Sequence, residues 1–116
     1  MARSILTAQV PTTAGITPTF GAADVLGSAF VNNGKRYLEV KNTSGSPVNV
    51  TIANPALVDG QAAPARVVSV PATTGDKMIG PFPSVYTQPD GTNQVYVDFS
   101  AVTSVTVALF EIAPAV

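Results

Sequence analysis

The sequence predicts an all-β protein: a single-domain antiparallel β-sandwich or jelly-roll of about seven or eight short strands, with a Pro/Thr-rich N-terminal arm. Apolar and polar residues alternate with a period of two in several short segments, which is typical of strands with one buried face. Turn residues separate these segments, and no stretch has the periodicity of a convincing helix. Hydrophobic residues make up 46% of the 116 residues, enough for one core without disulfides. A small closed barrel is the alternative architecture.

The clearest strand pattern lies in residues 32–52. Residues 36–42 and 47–52 both alternate apolar and polar side chains. The residues predicted to face the core are Leu38, Val40, Val48, Val50 and Ile52, whereas Tyr37, Glu39, Lys41, Asn49 and Thr51 face outwards. Asn33-Gly34 suits a tight turn because both residues tolerate positive φ, and a Thr-Ser-Gly-Ser link joins the two segments. We therefore predict a β-hairpin with one apolar face.

The whole chain is predicted to divide at residue 23. Residues 1–23 form a strand and an arm, and residues 24–116 form the sandwich. Residues 4–10 predict the strand, which Pro11 ends. The following segment is rich in Thr, Pro, Gly and Ala and lacks periodicity, so we expect an extended arm or a surface loop. Residues 24–31 predict another strand, and a short helix over residues 21–26 is the alternative.

Four further strands are predicted after the hairpin, in residues 66–70, 77–80, 94–100 and 105–112. The last of them has apolar residues on both faces, which predicts a central strand or one covered on both sides. The links are predicted to be a loop at residues 55–64, a turn at 73–76 and a loop at 84–93 with Asp90-Gly91 as its turn. We expect residues 113–116 to be frayed.

Charge and composition exclude several classes of function. Charged residues are only 11% of the chain and the net charge is -1, so there is no basic surface for nucleic acid or anionic lipid. No apolar run approaches the roughly 20 residues that cross a bilayer. The chain has no cysteine and no recognisable signal-peptide core. We expect a soluble protein made in the cytoplasm that binds neither nucleic acid nor membranes.

Catalytic chemistry also lacks its usual residues. Without His and Cys the familiar nucleophile triads cannot form, so we predict no catalytic residue, no cofactor-binding residue, no metal ligand and no enzyme. Asp59, Asp76 and Asp90 lie beside glycines or in predicted turns and are expected to cap the backbone. Asp98 and Glu111 lie in strands and are expected to be solvated or in cross-strand positions. Asn42 and Asn49 match the glycosylation sequon, which we interpret as chance.

Five apolar or aromatic residues are candidates for contact with another protein: Ile16, Phe20, Tyr37, Tyr86 and Tyr96. The tyrosines suit a position at the rim of the core or between subunits, and stacking on a sugar is the alternative. Ile16 and Phe20 are the apolar anchors of the N-terminal arm. Such an arm can add a strand to a neighbour's sheet edge, or it can be a passive linker.

Three stretches carry a resemblance to a known group: residues 30–42 followed by 45–52, residues 79–83 (Ile79-Gly80-Pro81-Phe82-Pro83), and residues 95–100 followed by 105–108. In this order they resemble small β-rich proteins encoded among the virion genes of tailed bacteriophages, and the resemblance covers residues 22–112. Proteins of this group are often capsid decoration (cement) proteins, which bridge neighbouring capsid subunits. Others are head–tail connectors or tail components. The group offers no catalytic residues to carry over.

The resemblance implies a virion structural protein whose partner is the major capsid protein. It also implies a homo-oligomer, and a trimer if the protein sits at local threefold axes. The favoured function is therefore a decoration protein that stabilises the assembled shell. A connector or tail component is the second hypothesis, and a carbohydrate- or host-surface-binding module, which needs an exposed aromatic platform, is the third.

Overall fold

Two β-sheets pack face to face in the computed structural model, which describes residues 3–89 and 91–112. The predicted all-β sandwich is confirmed. The strands in chain order are β1 (Ser4–Ile5), β2 (Ala8–Gln9), β3 (Gly21–Ala22), β4 (Ser28–Val31), β5 (Arg36–Asn42), β6 (Val48–Ile52), β7 (Leu57–Val58), β8 (Gln61–Ala62), β9 (Arg66–Val70), β10 (Gly75–Ile79), β11 (Gln94–Phe99) and β12 (Val105–Glu111). One turn of 3-10 helix, η1 (Ser84–Tyr86), is the only helix in the described ranges. No described helix is long and apolar enough to cross a membrane.

The strand order places two free edges side by side. The first sheet has the order β1-β4-β11-β6-β9, and the second has the order β10-β5-β12-β2, with β3 also paired to β12. Strands β9 and β10 end their sheets on the same side of the sandwich, because the short 71–74 link joins them. At the opposite edge of the second sheet, β2 pairs with Leu109 and Phe110, and β3 pairs with Thr106 and Val107.

The core lies between the sheets, and the alternation in the sequence correctly identifies its residues. Leu38 and Val40 of β5 are fully buried, as are the three inward residues of β6. Strand β11 adds Val95 and Val97, while Phe99 is half-buried at its end. Strand β12 is a central strand, as predicted, because β5 lies on one side and β2 and β3 lie on the other. Truncating one of these buried Leu or Ile side chains to Ala typically costs about 2–5 kcal/mol.

The predicted hairpin is wrong. Strand β5 belongs to the second sheet and β6 to the first, so residues 43–47 cross between sheets. The Asn33-Gly34 turn also crosses between the sheets, because it joins β4 of the first sheet to β5 of the second. Gly34 nevertheless has the expected positive φ of 79°. Period-two alternation shows which face of a strand is buried, and it is the same for a hairpin and for a crossover. Strand β5 instead pairs with β12, and β6 pairs with β11, and both of these partners lie far away in the sequence.

The N-terminal segment also differs from the predicted single strand. Residues 4–10 divide into β1, which pairs with β4 in the first sheet, and β2, which pairs with β12 in the second. Both pairs are parallel, so the sandwich is mixed at its edges rather than wholly antiparallel. Ile5 is exposed, whereas Leu6 packs against the core as the chain passes between the sheets. The helix considered for residues 21–26 is not formed, since β3 and a turn occupy this stretch.

The predicted arm is a closed surface loop. Residues 10–19 are exposed and contain no strand. The Gln9 side chain closes the loop: its amide donates to the Thr19 carbonyl at 2.8 Å, and its oxygen accepts from the Thr19 N–H at 2.9 Å. Asp90 of the predicted Asp90-Gly91 turn and the predicted frayed tail at residues 113–116 lie outside the described residues. Strands β7 and β8 form a small separate hairpin within the predicted 55–64 loop.

Candidate interaction surfaces

Three aromatic rings form a row on the outer face of the second sheet, and we call Phe20, Phe110 and Tyr37 the aromatic row. Tyr37 of β5 lies opposite Phe110 of β12, and their rings stack with centroids 5.5 Å apart and planes 28° apart. Phe20 meets the Phe110 ring edge-on at 6.2 Å. Such pairs contribute about 0.5–1.5 kcal/mol beyond the area they bury. Two predicted contact residues, Phe20 and Tyr37, are therefore joined through a third ring of their own chain.

Charged side chains flank the aromatic row. The Lys41 ammonium lies 4.3 Å from the centre of the Phe20 ring, a cation–π contact. Burial raises the pKa of the Glu39 carboxyl above its ordinary value, and a hydrogen bond to Asp76 together with the charge of Asp76 raises the pKa further. Lys41 opposes this shift. The outer face thus combines apolar rings with a glutamate whose pKa is raised.

Tyr96 lies on the outer face of the first sheet, on the opposite side of the sandwich. The Arg3 guanidinium covers its ring at 4.5 Å and forms a salt bridge with Asp98 at 2.6 Å. Nη1 of Arg3 also donates to the Val97 carbonyl at 3.2 Å. Gly27 leaves the space for this contact, because a Cβ there would meet Arg3 and would lie 2.8 Å from the Val97 carbonyl oxygen. Tyr96 is therefore half covered by the N-terminal segment.

Tyr86 lies in η1 and packs against the edge of the core. Its ring meets Phe82 edge-on at 6.4 Å, and Phe82 in turn contacts Phe30 at 5.3 Å. Tyr86 also lines a groove of about 420 Å³, which we call the edge groove, between the ends of β9 and β10. Its other main walls are Arg66, Val68, Met78, Ile79 and Phe82.

A second hollow adjoins the edge groove. It has a volume of about 400 Å³ and is lined by Gly34, Lys35, Tyr37, Pro81 and Ile112, and we call it the Tyr37 hollow. Pro81 lies in the walls of both cavities, so the two are adjacent. The charged residues in the two linings are Arg66 and Lys35, and both are cationic. No described carboxylate is found in either lining.

The five candidate contact residues do not form one site. Phe20 and Tyr37 meet in the aromatic row, whereas Tyr96 lies on the opposite face and Tyr86 lies at the end near β9 and β10. Ile16 is 39% exposed in the 10–19 loop. The tyrosines consequently do not share a flat platform of the kind that a sugar-stacking site needs. Their roles as protein contacts stay predictions.

The carboxylates serve the fold in ways that the sequence partly predicts. Glu111 is in a cross-strand pair with Arg36, as predicted, with Nε and Oε1 2.7 Å apart. Hydrogen bonds from Arg36 and Asn33 lower the pKa of Glu111. Asp76 lies within β10 rather than in a turn, because the turn ends at Thr74. Over residues 3–89 and 91–112, no three His, Cys, Asp or Glu side chains gather as a metal site.

Sequence reasoning missed the edge groove. Its walls come from β9, β10 and the 81–86 segment, and no local motif announces that they meet. One signal was available: strand β10 carries exposed Asp76, Lys77 and Met78 and has buried residues only at its ends. Such a pattern is typical of an edge strand, where charged residues are placed to block unwanted pairing.

The comparisons with known proteins identify no relative. No family model matches the chain, and neither the curated proteins nor the solved structures contain a match.

Proposed function

We propose that this chain is a non-enzymatic structural protein of a tailed-phage virion, a decoration protein that binds the assembled shell and stabilises it. The resemblance of residues 22–112 to small virion proteins supports the choice of particle. The β-sandwich is compatible with this role, but fold alone does not establish function. The surface of the molecule supplies the stronger support.

The observation that carries the proposal is the scarcity of free charge on the surface. The chain has only six cationic side chains, and three of them are engaged within the fold: Arg3 and Arg36 in salt bridges and Lys41 on Phe20. Large apolar side chains are meanwhile exposed, among them Val25 at 78% and Met78 at 67%. Soluble domains usually keep apart by dense mixed charge, whereas interface cores are depleted of it.

The arrangement of the surfaces supports bridging. The edge groove lies at the side formed by β9 and β10, and the exposed 10–19 loop connects β2 and β3 at the other edge of the second sheet. These features are at opposite edges of the same sheet. A small domain with contact regions on opposite edges can link two neighbouring subunits, which is what a cement protein does.

Targeted mass spectrometry of purified particles tests the proposal. The copy number of this chain is measured against that of the major capsid protein in the same sample. A fixed, simple proportion to the capsid protein is the expected result for decoration. A copy number matching a single ring would favour a connector or tail component instead. If the chain is missing from the particle, the virion proposal is overturned.

A further inference from the structure

We infer that the edge groove is the docking site for an extended, largely apolar segment of the capsid protein that carries an acidic side chain. This inference rests on the proposed function and deepens it, because it names the surface and the chemistry of the partner. The occupant is expected to lie along the free edge of β9. The backbone of the strand, the shape of the groove and its charge each contribute to this assignment.

The backbone of β9 offers the first contact. Strand β9 is a five-residue strand that pairs with β6 on one side and ends the first sheet on the other. An extended peptide can satisfy such an edge by adding a further strand, which gives affinity through main-chain hydrogen bonds. Pro71 follows β9 directly. An added strand would therefore run alongside β9 from its Pro71 end towards Arg66.

The side chains beside this edge form a pocket for an apolar residue. Val68 is in register with the buried Val50, so it faces the interior and reaches the groove. Phe82 and Ile79 are almost fully buried beneath the opening, and Met78 is 67% exposed at its margin. In an added strand every second side chain would point into this space. The groove therefore selects an apolar side chain at alternate positions.

The charge of the groove selects an acidic neighbour. Arg66 is in register with the inward-facing Ile52 and lines the groove, and it makes no salt bridge with a described residue. Lys77 of β10 is in register with Val40, so it also faces the inner side of the open edge. Lys35 adds a third cation in the adjoining Tyr37 hollow. Since neither lining contains a carboxylate among residues 3–89 and 91–112, the complementary partner carries one.

A second copy of this chain fits the groove less well. The longest exposed run among its described residues is the 10–19 loop, which contains no charged residue at all. That loop can offer Ile16 to an apolar pocket but nothing to Arg66. The charge complementarity thus favours a different protein, and in a virion the abundant candidate is the capsid protein.

Charge reversal at Arg66 provides the first test. Shells prepared without this chain are titrated with wild-type protein, with Arg66→Glu and with the charge-conserving control Arg66→Lys, at low and high salt. We expect Arg66→Glu to weaken binding by about tenfold or more and Arg66→Lys to change it by less than about threefold, with salt weakening the wild type. Arg66 is exposed, so circular dichroism should report an unchanged fold.

The outcomes separate the inference from the function on which it rests. If wild-type protein does not bind the shells, the proposed function fails. If wild-type protein binds and Arg66→Glu binds equally well, the function stands and the docking site is refuted. A second experiment identifies the occupant of the groove. It places a photo-crosslinking residue at Met78 and, as a control, one at Val25 near the far edge of the first sheet. A capsid peptide containing Asp or Glu, captured from Met78 alone, is expected, whereas capture of a second copy of this chain overturns the inference.

Discussion

The side-chain amide of Asn42 donates to the backbone carbonyl of Pro71 at 3.2 Å and so ties the end of β5 to the end of β9, in the other sheet. The same amide nitrogen lies 2.9 Å from the Ser46 carbonyl oxygen and 3.3 Å from that of Val70, so its two N–H groups are shared among three acceptors. The Asn42 oxygen accepts from both the N–H and the hydroxyl of Ser44. A fully buried polar side chain thus organises the crossover that the sequence suggested would be a hairpin loop.

Replacing Asn42 by Ala should destabilise the protein strongly. The change removes the donor of a buried hydrogen bond to Val70 and of part-buried ones to Ser46 and Pro71, and loss of a buried partner costs about 1–3 kcal/mol in comparable cases. Urea unfolding of Asn42→Ala measures the loss. Asn49→Ala is the matched control, because Asn49 is exposed on the outer face of β6 and its removal should cost less than about 0.5 kcal/mol. Equal effects at the two positions would contradict a special role for Asn42.

Gly27 is predicted to be intolerant of a side chain. Its φ is +87°, and an added Cβ would meet the Arg3–Asp98 pair and the Val97 carbonyl. A residue other than glycine in this conformation costs about 1–3 kcal/mol, and the displaced ion pair adds to the loss. Thermal unfolding of Gly27→Ala tests this, with Gly45→Ala as a control where the space is open. If Arg3→Ala removes most of the Gly27→Ala effect, the clash is with Arg3 rather than with the backbone.

The two asparagines that match the sequon, Asn42 and Asn49, show one limit and one success of sequence reasoning. A sequon matches both Asn42 and Asn49, and the sequence alone does not distinguish them. In the fold Asn42 is completely buried and therefore inaccessible to a glycan. The alternation of β5 and β6 correctly predicted which residues face the core, because burial of one face is written into each strand locally.

Local sequence patterns predict neither which strands pair with each other nor the edge groove. Strand β6 joins β11 and β9 through contacts that lie far apart in the sequence, and turn residues do not report them. The edge groove brings Arg66, Met78 and Tyr86 together only after both sheets have formed. Tyr86 was identified as a contact candidate from its residue type, whereas Arg66 gave no signal of its own.

Replacing residues 11–18 with a glycine-serine loop of the same length should leave the fold intact and reduce binding to shells. The exchanged residues are exposed, while Gln9, Thr19 and Phe20 keep their contacts. Thermal unfolding and a shell-binding titration measure the two effects. A loop that retains Ile16 is the matched control, and recovery of binding would assign the contact to that side chain. Full binding by the glycine-serine loop would show that this region is a passive linker.

Glu111 should give an acid-dependent stability. Its pKa is lower in the folded protein than its ordinary value of 4.5, because Arg36 and Asn33 donate to the carboxylate. Its contribution is therefore present at neutral pH and is lost as the pH falls below 4.5 through the folded pKa. Wild-type protein should exceed Glu111→Gln in stability at pH 7, and the difference should shrink in acid. In an Arg36→Gln background this pH dependence should largely disappear, and its persistence would contradict the assignment.

Glu39 should show the opposite sign. Burial, the hydrogen bond to Asp76 and the charge of Asp76 raise its pKa above the ordinary value of 4.5, so its ionisation costs the folded state more than the unfolded state. The folded state favours the protonated carboxyl. The stability that this preference contributes is fully present below pH 4.5 and is lost as the pH rises through the raised pKa. We therefore expect Glu39→Gln to be more stable than wild type at pH 7 and to lose that advantage in acid.

The Asp76→Asn background separates the causes of this shift. It removes the neighbouring charge but leaves the burial of Glu39, so the gain from Glu39→Gln should become smaller without vanishing. Urea unfolding of the four proteins at pH 4 and pH 7, which lie below and above the ordinary glutamate pKa of 4.5, completes the comparison. If Glu39→Gln is instead less stable than wild type at pH 7, the attraction of Lys41 outweighs burial and the Asp76 charge. The outer face of the second sheet would then favour ionised Glu39.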